Sequence, residues 1–123
     1  MIGQLQRAIG YRARLARKRE QDVLEVEGLA ARGDLGCPLE EAVRAVEHAR
    51  PGPNWRFGEM LRRLGLTPMG EFAKPLAMVG ATCRQCTAEA QCHAWLGSGR
   101  RSGHEAFCPN ARALKELTGK EAR

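Results

Sequence analysis

The stretch CRQCTAEAQCHAWLGSGRRSGHEAFCPN, residues 83–110, contains four of the five cysteines in a chain of 123 residues. Its pattern is C-x2-C-x5-C, followed by a fourth cysteine with a proline directly after it. Two cysteines separated by two residues can direct both sulfur atoms to one metal centre from a single turn of backbone. The pattern therefore predicts one metal site built from Cys83, Cys86, Cys92 and Cys108.

These four ligands leave the kind of metal open. Zinc sites commonly use two matched cysteine pairs, whereas here one pair is joined by two single cysteines, and Pro109 follows the last of them as in ferredoxin-type sequences. These features favour an iron–sulfur cluster, with 4Fe–4S as the form that four thiolates complete. A zinc ion bound by the same thiolates is the alternative. A third interpretation is that the cysteines exchange disulfides.

Three residues near the cysteines are candidates for contacts around the metal: His93, Trp95 and His104. Either histidine could replace a cysteine as a zinc ligand, but an imidazole beside such a site is more often a neighbour of the ligands or a surface residue. Cys37 lies far from the others in the sequence, before a proline, and we interpret it as a buried small residue and not as a fifth ligand.

Apolar residues recur every three or four positions along most of the chain, which predicts helices. Aromatic residues make up 5% of the chain, so strand formers are scarce. Gly65 is expected to end one helix, Pro75 to kink or restart the next, and Thr87 to cap the short helix that carries Cys92. The prediction is an all-α fold, with a small helical domain around the four-cysteine metal site.

The sequence pattern predicts a separate helical hairpin in the N-terminal part of the chain. Its first helix is predicted to end at Gly33, and its second helix is predicted over residues 39–49. The sequence RPGPN that follows cannot continue a helix. We therefore expect a charged hairpin over residues 1–50, a linker over 51–55 and the metal-binding domain over 56–123.

Charge is divided into blocks, although the net charge of the whole chain is +6. Residues 1–19 contain six basic residues and no acidic one, whereas residues 20–49 contain eight acidic and two basic residues. A basic helix can bind an acidic protein, nucleic acid or an anionic membrane surface. We expect the hairpin to dock on a larger protein through these residues: Arg7, Arg12, Arg14, Arg17, Lys18 and Arg19.

Several classes of protein are disfavoured by what the sequence lacks. It has no run of 18 apolar residues and no apolar core of a secretory signal near the N-terminus. We therefore expect the protein in the cytoplasm, and the alternative is a peripheral position on the inner membrane. Cysteines in the cytoplasm stay reduced. No nucleophile–base pair or pair of carboxylates is recognisable, which favours a protein with no catalytic activity of its own.

A set of residues around the cysteines resembles a family of small alphaproteobacterial proteins that is described as a domain of unknown function. The residues that carry the likeness are Cys83-Arg84-Gln85-Cys86, Cys92 with Trp95-Leu96, Phe107-Cys108-Pro109-Asn110, Leu114 and the preceding segment Met60–Leu66. The resemblance covers about residues 54–117 and leaves the hairpin outside. It implies a bacterial cytoplasmic protein with four functional cysteines, and it implies no reaction.

Together these observations predict a small iron–sulfur protein that serves a larger complex as an electron-transfer subunit, an accessory subunit or a redox sensor. The alternative is a zinc-stabilised adaptor or a regulator that binds nucleic acid.

Overall fold

A computed structural model describes residues 2–121, and its regular elements are helices. Two single-turn 3₁₀ helices, Gly70–Phe72 and His104–Ala106, interrupt the series. No strand occurs within the described residues, so the predicted all-α class is confirmed. The α-helices are α1 (Ile2–Ala31), α2 (Leu39–His48), α3 (Pro53–Leu64), α4 (Ala73–Arg84), α5 (Glu89–Ser98) and α6 (Ala111–Glu121).

The chain forms two compact units. The larger unit contains the residues up to Tyr11 together with the chain from Pro51 onward, and the smaller unit is Arg12–Arg50. The boundary at Pro51 lies in the segment that we expected to be a linker. The first eleven residues differ from the expectation of a hairpin over residues 1–50, because they cluster with the cysteine-containing part of the chain.

The ends of α3 follow directly from its sequence. Pro53 occupies the first helical position, where its missing N–H removes a donor that would be unpaired there anyway. Gly65 adopts a left-handed conformation with φ 72°, and the N–H of Leu66 donates to the Leu61 carbonyl over 2.9 Å. This is the glycine-based helix end that the sequence predicts.

Of two other predicted helix boundaries, one agrees with the structure and one is wrong. Pro75 lies in the first turn of α4, which begins at Ala73 directly after the 3₁₀ helix Gly70–Phe72, so a helix does start at this proline. Thr87 does not cap α5, since the position before the first helical residue is occupied by Ala88 and no side chain caps this end. Cys92 is nevertheless the fourth residue of α5, one turn inside the helix.

The core of the larger unit brings together helices that are distant in sequence. Its four most completely buried side chains are Tyr11, Leu76, Leu96 and Leu114, which come from α1, α4, α5 and α6. Burying one such side chain contributes about 1.5–3 kcal/mol. The core therefore holds α1 against the C-terminal helices through its first eleven residues.

Gly99 is the point where α1 comes closest to the end of α5. A Cβ atom on this residue would lie 2.0 Å from the Gln4 carbonyl oxygen and 2.9 Å from the Ala8 nitrogen, and its φ is +77°. The Gln4 amide donates to the Ser98 carbonyl over 3.2 Å, and Nε of Arg7 donates to the Gly99 carbonyl over 2.7 Å. These side chains satisfy carbonyls that a helix end leaves without an internal donor.

The smaller unit consists of the rest of α1, a turn and α2. At the end of α1, Gly33 has a φ of +75°, and the N–H of Asp34 donates to the Leu29 carbonyl over 2.9 Å. Nη2 of Arg19 donates to the carbonyl of Ala49, just after α2, over 3.3 Å. The α2 helix contains no buried residue.

Candidate metal centre

The first two cysteines lie at the end of α4 and in the turn that follows it. Cys83 is in the last turn of α4, and the N–H of Cys86 donates to the Cys83 carbonyl over 3.1 Å. The Cys86 sulfur accepts the backbone N–H of Ala88 at 3.3 Å. The Cys83 thiol is directed toward the Pro53 carbonyl, at 3.9 Å. This turn holds both sulfur atoms on one short piece of backbone.

The other two cysteines come from the following helices. Cys92 lies in α5 and is 9% exposed. Cys108 directly precedes α6, and the backbone N–H groups of Asn110 and Ala111 lower the pKa of its thiol against the effect of burial. Free N–H groups at the start of a helix favour negative charge on such a sulfur. The amide of Asn110 also donates to the Val79 carbonyl of α4 over 3.0 Å, which ties the beginning of α6 to α4.

All four predicted cysteines line one cavity in the larger unit. The volume of this cavity, counted as the space that the centre of a water molecule can occupy, is about 20 Å³. The wall between the cysteines is mainly apolar, with one charged side chain, Arg56. The apolar wall residues are Phe57, Met60, Phe107, Pro109 and Leu114. The structure thus brings together the four residues that the sequence singles out.

The thiols are not positioned around a single ion as they stand. Within residues 2–121, no three side chains of His, Cys, Asp or Glu converge closely enough to hold one metal ion. All five cysteines are free thiols. The donor set still fits a thiolate-ligated metal group, because four soft sulfur donors share one small, largely apolar space.

Burial controls the protonation of these thiols. It raises the pKa of Cys92 to about 11, against a partial lowering by the Arg56 guanidinium. It also raises the pKa of Cys83, and the pKa of Cys108 is raised by burial although the N–H groups of Asn110 and Ala111 oppose this. The three thiols therefore keep their protons at neutral pH in the metal-free chain and are poor nucleophiles there. A bound metal would have to displace those protons.

Arg56 is the residue near the cysteines that sequence reasoning missed. It is 3% exposed, and its Nη1 donates to the carbonyl of Pro51, while its Nε has no hydrogen-bond partner. Its positive charge acts on both Cys83 and Cys92. No local sequence signal distinguishes it from the other basic residues of the chain.

The predicted neighbours of the cysteines line other parts of the larger unit and not the cavity itself. A hydrogen bond of 2.8 Å joins Nδ1 of His93 to the hydroxyl of Tyr11, whose ring also packs against Trp55 at 5.5 Å. Trp95 is buried and donates from Nε1 to the Ser102 carbonyl over 2.8 Å. The role of His93 beside the metal ligands stays a prediction.

His104 is also buried, with its ring 5.0 Å from that of Trp95 and its Nδ1 without a hydrogen-bond partner. Its carbonyl accepts the N–H of Cys108 over 2.8 Å, so it supports the backbone of that cysteine. Cys37 belongs to the smaller unit and is exposed, so the prediction that it is buried is wrong.

The six basic residues of the predicted docking surface all lie in α1, but several are engaged within the protein. Arg7 binds the Gly99 carbonyl, and Lys18 forms an ion pair of 2.9 Å with Asp22 one turn later. Arg12 and Arg17 are exposed. The docking role of the six residues stays a prediction.

The helices of residues 2–121 include none whose length and hydrophobicity would allow it to span a bilayer.

Comparisons with known proteins give a family but no characterised relative. No curated protein and no solved structure matches the chain. The model of a family of unknown function, DUF6455, matches residues 54–120, more than half of the chain. This range includes the four cysteines and agrees with the resemblance to a family of unknown function, whose alphaproteobacterial origin stays a prediction. The chain therefore belongs to the DUF6455 family.

Proposed function

We propose that Cys83, Cys86, Cys92 and Cys108 hold an iron–sulfur cluster, and that the protein serves a larger complex as an electron-transfer or accessory subunit, or as a redox sensor. The observation that carries this proposal is the shared cavity of four thiols. Thiolates are the ligands of iron–sulfur clusters, and four of them complete a 4Fe–4S cluster.

The spacing of the ligands, and not the size of the cavity, favours a cluster over a single zinc ion. One cysteine pair is joined by two single cysteines, and Pro109 follows the last of them as in ferredoxin-type sequences.

The chemistry that a 4Fe–4S cluster supplies when bound is the transfer of single electrons. With four cysteines as ligands, each iron has a protein ligand and no position remains for a substrate. The chain's own residues supply a mainly apolar wall, the Ala88 N–H donates to the Cys86 sulfur, and the N–H groups of Asn110 and Ala111 lower the pKa of Cys108. This arrangement favours electron transfer or redox sensing over catalysis.

Metal analysis after purification without oxygen tests the proposal. We expect about four iron and four acid-labile sulfide atoms per chain, with a broad brown absorption that dithionite bleaches. Serine at any of the four positions should lower the iron content. The matched control is Cys37→Ser, because Cys37 is exposed and lies in the smaller unit. About one zinc per chain without labile sulfide would contradict the proposal and favour the zinc-stabilised adaptor.

The partner is proposed to bind the smaller unit. Arg12 and Arg17 are exposed there, and Leu24 presents an apolar side chain that is 66% exposed. We expect a larger protein with an acidic surface, in a bacterial cytoplasm. The protein is also tested for binding to DNA, RNA and anionic vesicles. If such binding weakens steeply with salt and is lost in R12E/R17E, the partner is nucleic acid or a membrane surface and not an acidic protein.

A further inference from the structure

Arg56 places a positive charge inside the larger unit, next to the thiols. Its side chain is 3% exposed and lines the cysteine cavity. One nitrogen, Nη1, donates to the Pro51 carbonyl, whereas Nε has no partner. Within residues 2–121, no carboxylate forms an ion pair with this guanidinium. A buried charge without a counter-charge costs free energy, so the wall of the cavity is built for a negative group.

The four sulfur atoms receive positive charge from two different sources. Arg56 lines the same cavity as all four cysteines, and its charge lowers the pKa of Cys83 and of Cys92 against the effect of burial. The N–H of Ala88 donates to the Cys86 sulfur over 3.3 Å, and the N–H groups of Asn110 and Ala111 lower the pKa of Cys108 against the effect of burial. Such an arrangement stabilises thiolates and the net negative charge that a thiolate-ligated metal group carries.

We propose that Arg56 is the built-in counter-charge of the metal centre and that it raises the reduction potential of the bound cluster. This inference rests on the proposed function. Reduction adds one electron from a one-electron donor, breaks no bond in the protein and moves no proton, so the centre gains one negative charge. A fixed guanidinium attracts the reduced centre more strongly than the oxidised one and shifts the equilibrium toward reduction. Arg56 acts through the ligands and is a positioning residue, not a catalytic one.

The reduction potential of the loaded protein tests this role. With dithionite as the donor, Arg56→Gln and Arg56→Met should each shift the reduction equilibrium at least tenfold toward the oxidised state, which is about 59 mV for a one-electron couple. Arg56→Lys keeps the charge and should restore most of the shift. The matched control is Arg62→Gln in the same helix, because Arg62 is 63% exposed and water screens its charge.

A second measurement uses the metal-free protein. There no carboxylate within residues 2–121 forms an ion pair with the Arg56 guanidinium, so its charge has no partner. Arg56→Met should therefore raise the urea midpoint of the metal-free protein and lower that of the loaded protein. If Arg56 only fixed the backbone at Pro51, the substitution would lower both midpoints.

The outcomes separate this inference from the proposed function. A wild-type protein that takes up no iron and no sulfide overturns both. A wild-type cluster with Arg56→Met at an unchanged potential overturns the role of Arg56 alone. If Arg56→Gln and Arg56→Met do not bind the cluster, the Arg56→Lys variant tests the proposal. An Arg56→Lys protein that binds the cluster with the wild-type reduction potential supports Arg56 as the counter-charge. An Arg56→Lys protein that does not bind the cluster overturns that role.

Discussion

Replacing Gly99 by alanine tests how the first turns of α1 are held in the larger unit. The new Cβ atom would lie 2.0 Å from the Gln4 carbonyl oxygen, a distance that no real contact allows. Because the obstacle is helix backbone and not the end of a flexible side chain, α1 or the end of α5 must move. The substitution also forces alanine into a left-handed conformation with φ +77°.

The magnitude follows from the contacts that this movement breaks. The left-handed conformation costs an alanine about 1–2 kcal/mol. Loss of the Gln4 hydrogen bond adds about 0.5–1.5 kcal/mol, and loss of the charged Arg7 hydrogen bond adds about 1.5–3 kcal/mol. The expected loss in the free energy of unfolding is therefore about 3–6.5 kcal/mol, a large part of the stability of a small domain.

Urea unfolding followed by far-UV circular dichroism measures this loss. Gly65→Ala is the matched control, since Gly65 has a φ of +72° but a Cβ atom there would meet nothing within 4 Å. It should cost only the conformational part, about 1–2 kcal/mol. In an Arg7→Ala background, Gly99→Ala should cost less than in the wild type, because one of the bonds is already lost. Equal losses for Gly99→Ala and Gly65→Ala would refute the close approach of α1.

Four further predictions concern single side chains. In the metal-free protein, iodoacetamide should modify the exposed Cys37 first. The pKa of Cys92 is about 11, so at pH 8 its reaction rate should be roughly 1000-fold below that of an ionised thiol and should rise about tenfold per pH unit. A rate for Cys92 that does not depend on pH would contradict this. The same raised pKa stabilises the metal-free fold below pH 9.0, and this contribution should be lost as the pH rises through about 11. Tyr11→Phe removes the hydrogen bond to His93 and should cost about 1 kcal/mol in urea unfolding, whereas no change would show that water replaces the hydroxyl. Asn110→Ala leaves a buried carbonyl of α4 without its donor and should cost about 1–3 kcal/mol, and a cost below 0.5 kcal/mol would contradict its role in tying α6 to α4.

The helical class was predictable because apolar periodicity is a local property. The helix that ends at Gly65 shows this well, since a glycine, a proline and a repeating apolar face all lie within one short segment. The gathering of the four cysteines in one cavity was likewise predictable from their spacing. What binds there stays a prediction, because sulfur donors serve several metals alike.

The features that escaped prediction depend on tertiary contacts. The apolar stripe of α1 has the same spacing throughout, so it does not indicate that the residues up to Tyr11 pack with the C-terminal helices. The need for glycine at position 99 arises only where a second helix approaches. Arg56 is one of 20 basic residues, and its burial follows from the fold around it. Thr87 has the right residue type for a cap, but α5 begins one residue later than such a cap requires.

The unequal burial of the four cysteines has a consequence for how electrons and oxidants would reach a cluster. Cys92 is buried, whereas Cys83, Cys86 and Cys108 are half-buried, so the cavity lies just beneath the protein surface on their side. A redox partner that docks on this side would come within a short tunnelling distance. Molecular oxygen would reach the same side, where partly exposed sulfur and iron are open to oxidation. A redox partner that binds this side would therefore also protect a cluster from oxygen.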